Sequence, residues 1–502
     1  MNITNIAGKI LSQRVKAAKA WESNAEDVQR KELDRMVTAS RNTIWGREHG
    51  YESIMGYNDY RARVDVTPYE QLRPMVMRMI NGEKSVLWPG RVLRYAQSSG
   101  TSDGKSKYIP VSDEGLRRCH YRGATDVVAH YLSQYPSSKM FSGKGFILGG
   151  SFANELSSLP ENVKVGDLSA HLIDCINPLA EWVRTPHKSV ALMADWHKKL
   201  PLLVREASRK NVTNISGVPS WFLTVLKEVM KNAGADEIHQ VWPNLEVFFH
   251  GGISFAPYRE QYNAIIDPQR MRYMETYNAS EGFFALQDRP DSHAMLLEMD
   301  AGVFYEFIPA DAPDTEPIPV WEVEKGRTYA MVITTCSGLW RYPLGDTVRI
   351  EDTSPVRITI AGRTKCFINA FGEEVMVHNT DAALAAACAR CHAAVKDYTA
   401  APVYASQGNK GRHEWLIEFT AEPDNIEQFA TVLDRELCSV NSDYQAKRGG
   451  DIFLERLSVV KAKPGLFDRW LSISGKLGGQ RKVPRLANDR HLIEPMLKLN
   501  NE

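Results

Sequence analysis

Between Val92 and Ala361 the chain is cut into short apolar runs separated by glycine-rich turns. That rhythm restricts it to folds built on buried sheet. Val92–Ala96, Gly145–Leu148, Leu245–Phe249, Phe304–Ile308, Tyr329–Thr334 and Arg357–Ala361 all read as strands. Helical patterns lie between some of them. Ser220 is placed to cap a helix whose Phe222, Val225, Leu226 and Val229 share one face. The expected body is α/β, with a helical stretch over roughly the first 60 residues before it.

After about residue 365 the texture changes. An alanine-rich helix is expected from near Asp381 to Val395, then a strand over His413–Phe419. A second helix is expected from near Asp424, with Glu427 completing a capping box and Ile426, Phe429, Leu433 and Leu437 on one face. A chain of 502 residues has room for several domains. The expected division is 1–364 and 365–502, the second part a small α+β domain.

Charge and cysteine usage narrow the function classes. Lys+Arg and Asp+Glu both total 61, so the net charge is zero and a nucleic-acid partner is not expected. No apolar run approaches the roughly 20 residues of a spanning helix, so no membrane span is expected. The first twenty residues carry Lys9, Arg14, Lys16 and Lys19 with no acid before Glu22. With Ile6, Ile10 and Val15 on or near one face, they read as a surface helix packed on the body. Seven cysteines without framework spacing fit reduced thiols in a cytoplasmic protein.

Four segments carry chemistry. Ser98-Ser99-Gly100-Thr101-Ser102-Asp103-Gly104-Lys105-Ser106-Lys107 follows the first expected strand. Its small and hydroxyl residues let backbone N–H groups approach a phosphate, and Lys105 or Lys107 adds charge. It is not a Walker A loop, because only three residues separate Gly100 from Gly104. Thr276-Tyr277-Asn278-Ala279-Ser280-Glu281-Gly282 ends a possible strand, Arg272–Glu275, and sets a carboxylate among small residues, which suits a magnesium ligand. In Gly338-Leu339-Trp340-Arg341-Tyr342-Pro343-Leu344-Gly345-Asp346 the final carboxylate has two oxygens with which to accept both hydroxyls of a ribose. Near the C-terminus, Gly478-Gly479-Gln480-Arg481-Lys482-Val483-Pro484-Arg485 holds a lysine in a glycine-rich loop. Taken singly, each of the last three reads as well as an ordinary polar turn.

In this order and spacing the four resemble the adenylate-forming superfamily of acyl-CoA synthetases, luciferases and peptide-synthetase adenylation domains. Within it they are most similar to the Gretchen Hagen family of plant acyl-acid amido synthetases and their bacterial relatives. The likeness runs from about residue 90 to residue 490. It departs in the third segment, where Pro343 follows Tyr342 and the arginine, Arg341, precedes it. The segment Ala361–Lys365 is similar to the hinge of the wider superfamily.

The resemblance implies a large multi-sheet adenylating domain and a smaller mobile one. It implies ATP and Mg2+, a carboxylic acid substrate and an amino acid acceptor, with a thioester-forming ligase as the alternative; the expected working form is a monomer. Implied nucleotide contacts are Ser98, Ser99, Gly100, Thr101, Ser102, Gly104, Lys105, Gly251, Gly252, Tyr277, Asn278, Ala279, Ser280, Asp346 and Arg363. Glu281 is the implied metal ligand, and Lys482 the implied catalytic lysine. Three further signals are set aside. Cys388-Ala389-Arg390-Cys391-His392 matches a haem-attachment spacing, but its thiols share a helical face with Leu384. His250 reads as a wall residue rather than a general base. Arg117, Arg118 and Arg122 read as a solvated helical face rather than as ligands of an anionic acyl substrate.

Overall fold

The structure is a computed structural model that describes residues 3–98, 106–154, 156, 158–252, 255, 258–363, 367–404, 410–449, 454–473 and 483–502. The chain divides into two compact units. The first comprises residues 1–98, 106–252 and 262–364; the second takes 99–105, 253–261 and 365–502.

The first unit is built on two sheets. The smaller pairs β1 (Arg94–Ser98) antiparallel with β2 (Lys107–Pro110) and parallel with β4 (Lys164–Gly166). The larger has twelve strands. Its parallel half contains β3 (Lys144–Ile147), β5 (Arg184–Thr185), β6 (Val212–Gly217), β7 (Val247–Gly251) and β8 (Arg272–Ala279), in the order β5-β3-β6-β7-β8. Its antiparallel half contains β9 (Gly282–Gln287), β10 (Met295–Leu297), β11 (Val303–Pro309), β12 (Ile318–Pro319), β13 (Thr328–Thr335), β14 (Tyr342–Thr353) and β15 (Val356–Arg363). These continue the sheet as β9-β10-β15-β14-β13-β11-β12. β9 and β11 are buried almost throughout, which explains their continuous apolar runs. The helix Pro219–Ala233 buries Phe222, Val225, Leu226 and Val229 completely, as its periodicity predicts. Ser220 is not its cap, however. Val218 stands there, and Pro219 opens the helix at a position where its missing N–H costs nothing.

The N-terminal helix Ile3–Ser40 packs along the helix Tyr121–Gln134 and β11. Its seat is polar as well as apolar. Buried Gln29 donates to the Met299 and Val303 carbonyls and accepts from the Tyr305 amide. Arg14 forks onto both Asp126, at 2.7 and 2.8 Å, and Asp300, at 2.7 and 2.9 Å. The arginines expected on a solvated face belong to the same seat. Arg118 bonds Glu32 at 2.8 Å and Arg122 reaches Asp300, so two of the three are paired. No helix among the described residues is long and apolar enough to cross a membrane.

The second unit holds the two-stranded sheet β16 (Phe367–Ile368) and β17 (Val375–Met376) and the three-stranded sheet β18 (Ala394–Val403), β19 (Arg412–Ala421) and β20 (Ser458–Lys461). The alanine-rich helix spans Val377–Arg390, earlier than its periodicity predicts, and Val395 lies in β18 instead. His392, with φ of 51°, breaks the helical path between them. Cys388 and Cys391 are free and half-buried, and no Cys/His metal cluster occurs among the described residues. The next helix, Ile426–Val440, is capped by Asn425, whose side chain accepts from the Glu427 and Gln428 amides.

Beside the Arg14 fork sits Glu298, wholly buried, with one oxygen of each of Asp126, Glu298 and Asp300 lying within 4.8 Å of the others. Burial, and then the charges of Asp126 and Asp300, push its carboxyl well above the ordinary value. A group raised on folding contributes stability below its unfolded pKa and loses it as pH rises through the folded one. Stability should therefore fall as pH climbs through that raised value. Glu298→Gln, which stays neutral at every pH, should flatten the fall; melting curves over a pH series that starts near the ordinary carboxylate value and runs upward check it.

Candidate active site

Four strands of the first unit carry the side chains that the resemblance assigns to the site. The larger sheet changes from parallel to antiparallel at β8, and the carboxyl ends of parallel strands are where open α/β sheets take ligands. β7 ends there in His250-Gly251-Gly252. Gly251 stands opposite Thr276 of β8, so close that a Cβ on it would lie 2.4 Å from the Thr276 carbonyl oxygen. Gly252 has φ of +85°, which a side chain rarely adopts. Two glycines are therefore what this turn requires. His250 is buried against the Phe248 and Tyr273 rings.

The second segment is less of a turn than its sequence predicts. β8 runs through Tyr277 and Asn278 to Ala279, and Ala279 pairs with Gly282 across a two-residue hairpin turn. Ser280 and Glu281 form that turn, so Glu281 is half-buried at the tip of the hairpin. Asn278 is exposed and accepts from the Thr276 hydroxyl at 3.2 Å.

Tyr277 is buried edge-on to Phe284, with ring centroids 5.1 Å apart. Its hydroxyl donates to Asp346 Oδ2 at 2.6 Å. The structure thus joins the second and third segments at the two residues assigned to base and ribose. Asp346 is itself buried, in β14, and stands opposite Arg363 of β15.

Arg341 has a structural place. It adopts φ of 40° just before β14 and is buried, like its partner Glu306 of β11. Its guanidinium donates to both Glu306 oxygens at 2.9 to 3.1 Å and to the Val64 carbonyl at 2.8 Å. The Tyr57 hydroxyl adds a third donor to Glu306 at 3.0 Å. Burial pushes the Glu306 carboxyl up, against the pull of Arg341. This pair fixes the entry to β14, hence Tyr342 and Asp346.

The phosphate-loop strand brings in a residue that the motif reading leaves as an alternative. Ser98 ends β1 opposite Lys107, which starts β2. Lys107 donates to the Tyr342 hydroxyl at 2.9 Å, and that hydroxyl donates to Glu281 Oε1 at 3.4 Å. Tyr342 lay in plain view within the third segment, but no local signal marks its partner 61 residues away. Ser99, Gly100, Thr101, Ser102, Gly104, Lys105 and Lys482 lie outside the described residues, as does the Arg363 side chain.

The residues just after Lys482 are anchored within the second unit. The Pro484 carbonyl accepts from the Thr399 hydroxyl at 2.8 Å, and the Arg485 carbonyl accepts from the Ala400 amide at 2.8 Å. Arg485 also pairs with Asp381 and lies 5.1 Å from the centre of the Tyr398 ring.

Comparison with known proteins decides the family. The GH3 family N-terminal domain matches residues 14–271, the central domain 296–363 and the C-terminal domain 378–491. The chain belongs to the GH3 family. Among its relatives, the indole-3-acetic acid-amido synthetase GH3.8 of Oryza sativa subsp. indica is 22% identical over 552 residues, covering 94% of this chain and 90% of the relative. The indole-3-acetic acid-amido synthetase GH3.2 of Arabidopsis thaliana is 24% identical over 411 residues, 67% of this chain and 74% of the relative. Among solved structures, AtGH3.15 acyl acid amido synthetase in complex with 2,4-DB superposes with a TM-score of 0.62 at 18% identity, over 97% of this chain and 95% of that one. A 2-hydroxyisobutyryl-CoA ligase superposes at 0.58 with 13% identity, over 95% and 91%. At these identities the structural likenesses establish the GH3 and adenylate-forming fold.

Replacing Arg341 by leucine leaves Glu306 buried without its cation. The expected loss is about 3–5 kcal/mol, the scale of a broken buried pair, read as a lowered urea midpoint of the first unit.

Proposed function

We propose that the protein is an ATP-dependent acyl-acid amido synthetase. The observation that carries this reading is the Tyr277–Asp346 hydrogen bond at 2.6 Å beside the Glu281 hairpin, on a chain matched by all three GH3 domains. It joins the residues assigned to base and ribose, while Glu281, assigned to the metal, meets Tyr342 instead. The named activity of the curated relatives supports the same reading.

A carboxylate is a poor acyl donor because its leaving group is oxide. In the proposed first step a carboxylate oxygen of the acid attacks the α-phosphorus of ATP, and the bond to pyrophosphate breaks. In the second, the amine nitrogen of an amino acid attacks the acyl carbon. The bond to AMP breaks, and the nitrogen gives up its proton. The chain's own residues have stated tasks in this scheme. Ser98 to Lys105 hold the departing phosphates through backbone N–H groups and hydroxyls. Gly251 and Gly252 admit the base, which Tyr277 flanks, and Asn278 to Ser280 border it. Asp346 accepts the ribose hydroxyls, held in place by Tyr277, with Arg363 opposite. Lys482 stabilises charge on the transferring group.

The donor chemistry of Glu281 fits Mg2+, which takes hard oxygen ligands and is usually bound by one or two carboxylates plus substrate phosphates. When bound, magnesium supplies positive charge that offsets the repulsion between triphosphate and carboxylate. Residues 365–502 would turn about the segment 363–365 between the two steps, withdrawing Lys482 and admitting the amine. The six free cysteines among the described residues fit a cytoplasmic enzyme, which we take to act as a monomer without nucleic acid.

A second reading, transfer to coenzyme A or a carrier thiol, is favoured by the superposition on 2-hydroxyisobutyryl-CoA ligase. Pyrophosphate release against a panel of carboxylic acids separates the two. Stimulation by amino acids supports the amido synthetase, and stimulation by coenzyme A alone overturns it. Lys482→Ala should slow adenylation roughly 10²-fold or more, the scale of losing one transition-state donor, while sparing amide formation from supplied acyl-adenylate. An unchanged adenylation rate would remove Lys482 from the first step.

A further inference from the structure

We propose that Tyr342 and Lys107 are positioning residues for Glu281, holding its carboxylate in place through a hydroxyl. The proposal rests on the reading of Glu281 as the magnesium ligand.

The geometry has three parts from distant stretches of chain. Lys107 opens β2, Tyr342 opens β14, and Glu281 caps the β8–β9 hairpin. Lys107 Nζ donates to the Tyr342 hydroxyl at 2.9 Å and lies 5.4 and 5.7 Å from the centres of the Tyr342 and Tyr69 rings. Tyr69 is itself fixed, accepting from the Tyr108 amide at 2.6 Å. The ammonium is thus caged between two aromatic faces, where cations are attracted. From there it reaches Glu281 through one hydroxyl, at 3.4 Å from Oε1.

A direct Lys–Glu pair would do something different. It would put a full positive charge against the carboxylate, compete with an incoming cation and draw the side chain away from the phosphates. A neutral hydroxyl occupies one acceptor site of the carboxylate and adds no net charge beside it. Donation from the ammonium into the tyrosine oxygen polarises the O–H toward Glu281, because hydrogen bonds in series strengthen one another. Tyr342 is fully buried, and an ordinary phenol, with a pKa of about 10, is un-ionised at neutral pH. It therefore stays a donor across the neutral range. The relay also ties the start of β2 to the hairpin tip through one hydrogen-bonded link.

Tyr342→Phe removes the hydroxyl and keeps the ring that fills the site. Manganese serves as the probe, its binding in the presence of ATP read by electron paramagnetic resonance. The expected result is an affinity weakened roughly 10-fold or more, the usual effect of losing a group that orients a metal ligand. ATP binding without metal should be unchanged, as a general folding lesion would not leave it. Lys107→Met should weaken manganese in the same direction, and the double variant should be no weaker than Tyr342→Phe alone, because both act through one link. Additive losses, or wild-type manganese binding by Tyr342→Phe, overturn the relay. Should Tyr342→Phe not fold, Lys107→Met carries the same measurement, and wild-type binding by it overturns the relay equally. Glu281→Ala separates the two levels. If it loses manganese while Tyr342→Phe does not, only the relay fails. If it also binds manganese normally, the metal assignment fails and the relay falls with it.

Discussion

The buried pair of Arg341 and Glu306 is the interaction on which the site depends. It lies where β11 and the entry to β14 meet the helix Tyr57–Arg63, and its guanidinium bonds protein on both sides. Neither charge is tolerable in that interior alone. Each therefore dictates the other's position, and with it the backbone between Trp340 and Tyr342. Thr334 receives the Arg341 amide at 3.1 Å and meets the Tyr60 hydroxyl at 2.7 Å, so the anchor extends into neighbouring elements. Tyr342 and Asp346 inherit their places from it.

Arg341, which precedes Tyr342, points into the core. Its charge is matched by Glu306 from another strand, not by a substrate. That pairing is invisible in the sequence, where Glu306 lies inside an otherwise apolar run.

Much of the fold was legible because it is written locally. Buried strands such as Phe304–Ile308 announce themselves by continuous apolar residues, and the helix face Phe222–Val229 by its period. Boundaries were harder where two local signals compete. Ser220 looks like a cap, yet Pro219 starts the helix. The alanine-rich run invites a helix through Val395, yet the chain turns at His392 and re-enters as a strand. In the site, Glu281, Tyr277 and Asp346 were legible as motif members. Their relations were not, because Tyr277–Asp346 and Lys107–Tyr342–Glu281 bridge segments that only the sheet order brings together. Arg118 and Arg122 were misjudged for the same reason: their partners Glu32 and Asp300 come from other parts of the chain.

The hairpin of Ser280 and Glu281 has a bearing on how such a protein can vary. In paired strands, adding one residue exchanges the two faces for everything beyond it. Here that would turn Glu281 away from Tyr342 while β8 and β9 remain locked in the sheet on either side. Exchange of side chains along β8 alters what the strand presents, but an added residue between Asn278 and Gly282 would carry the carboxylate away from Tyr342. Length, more than identity, is the coordinate along which descent is confined at this turn.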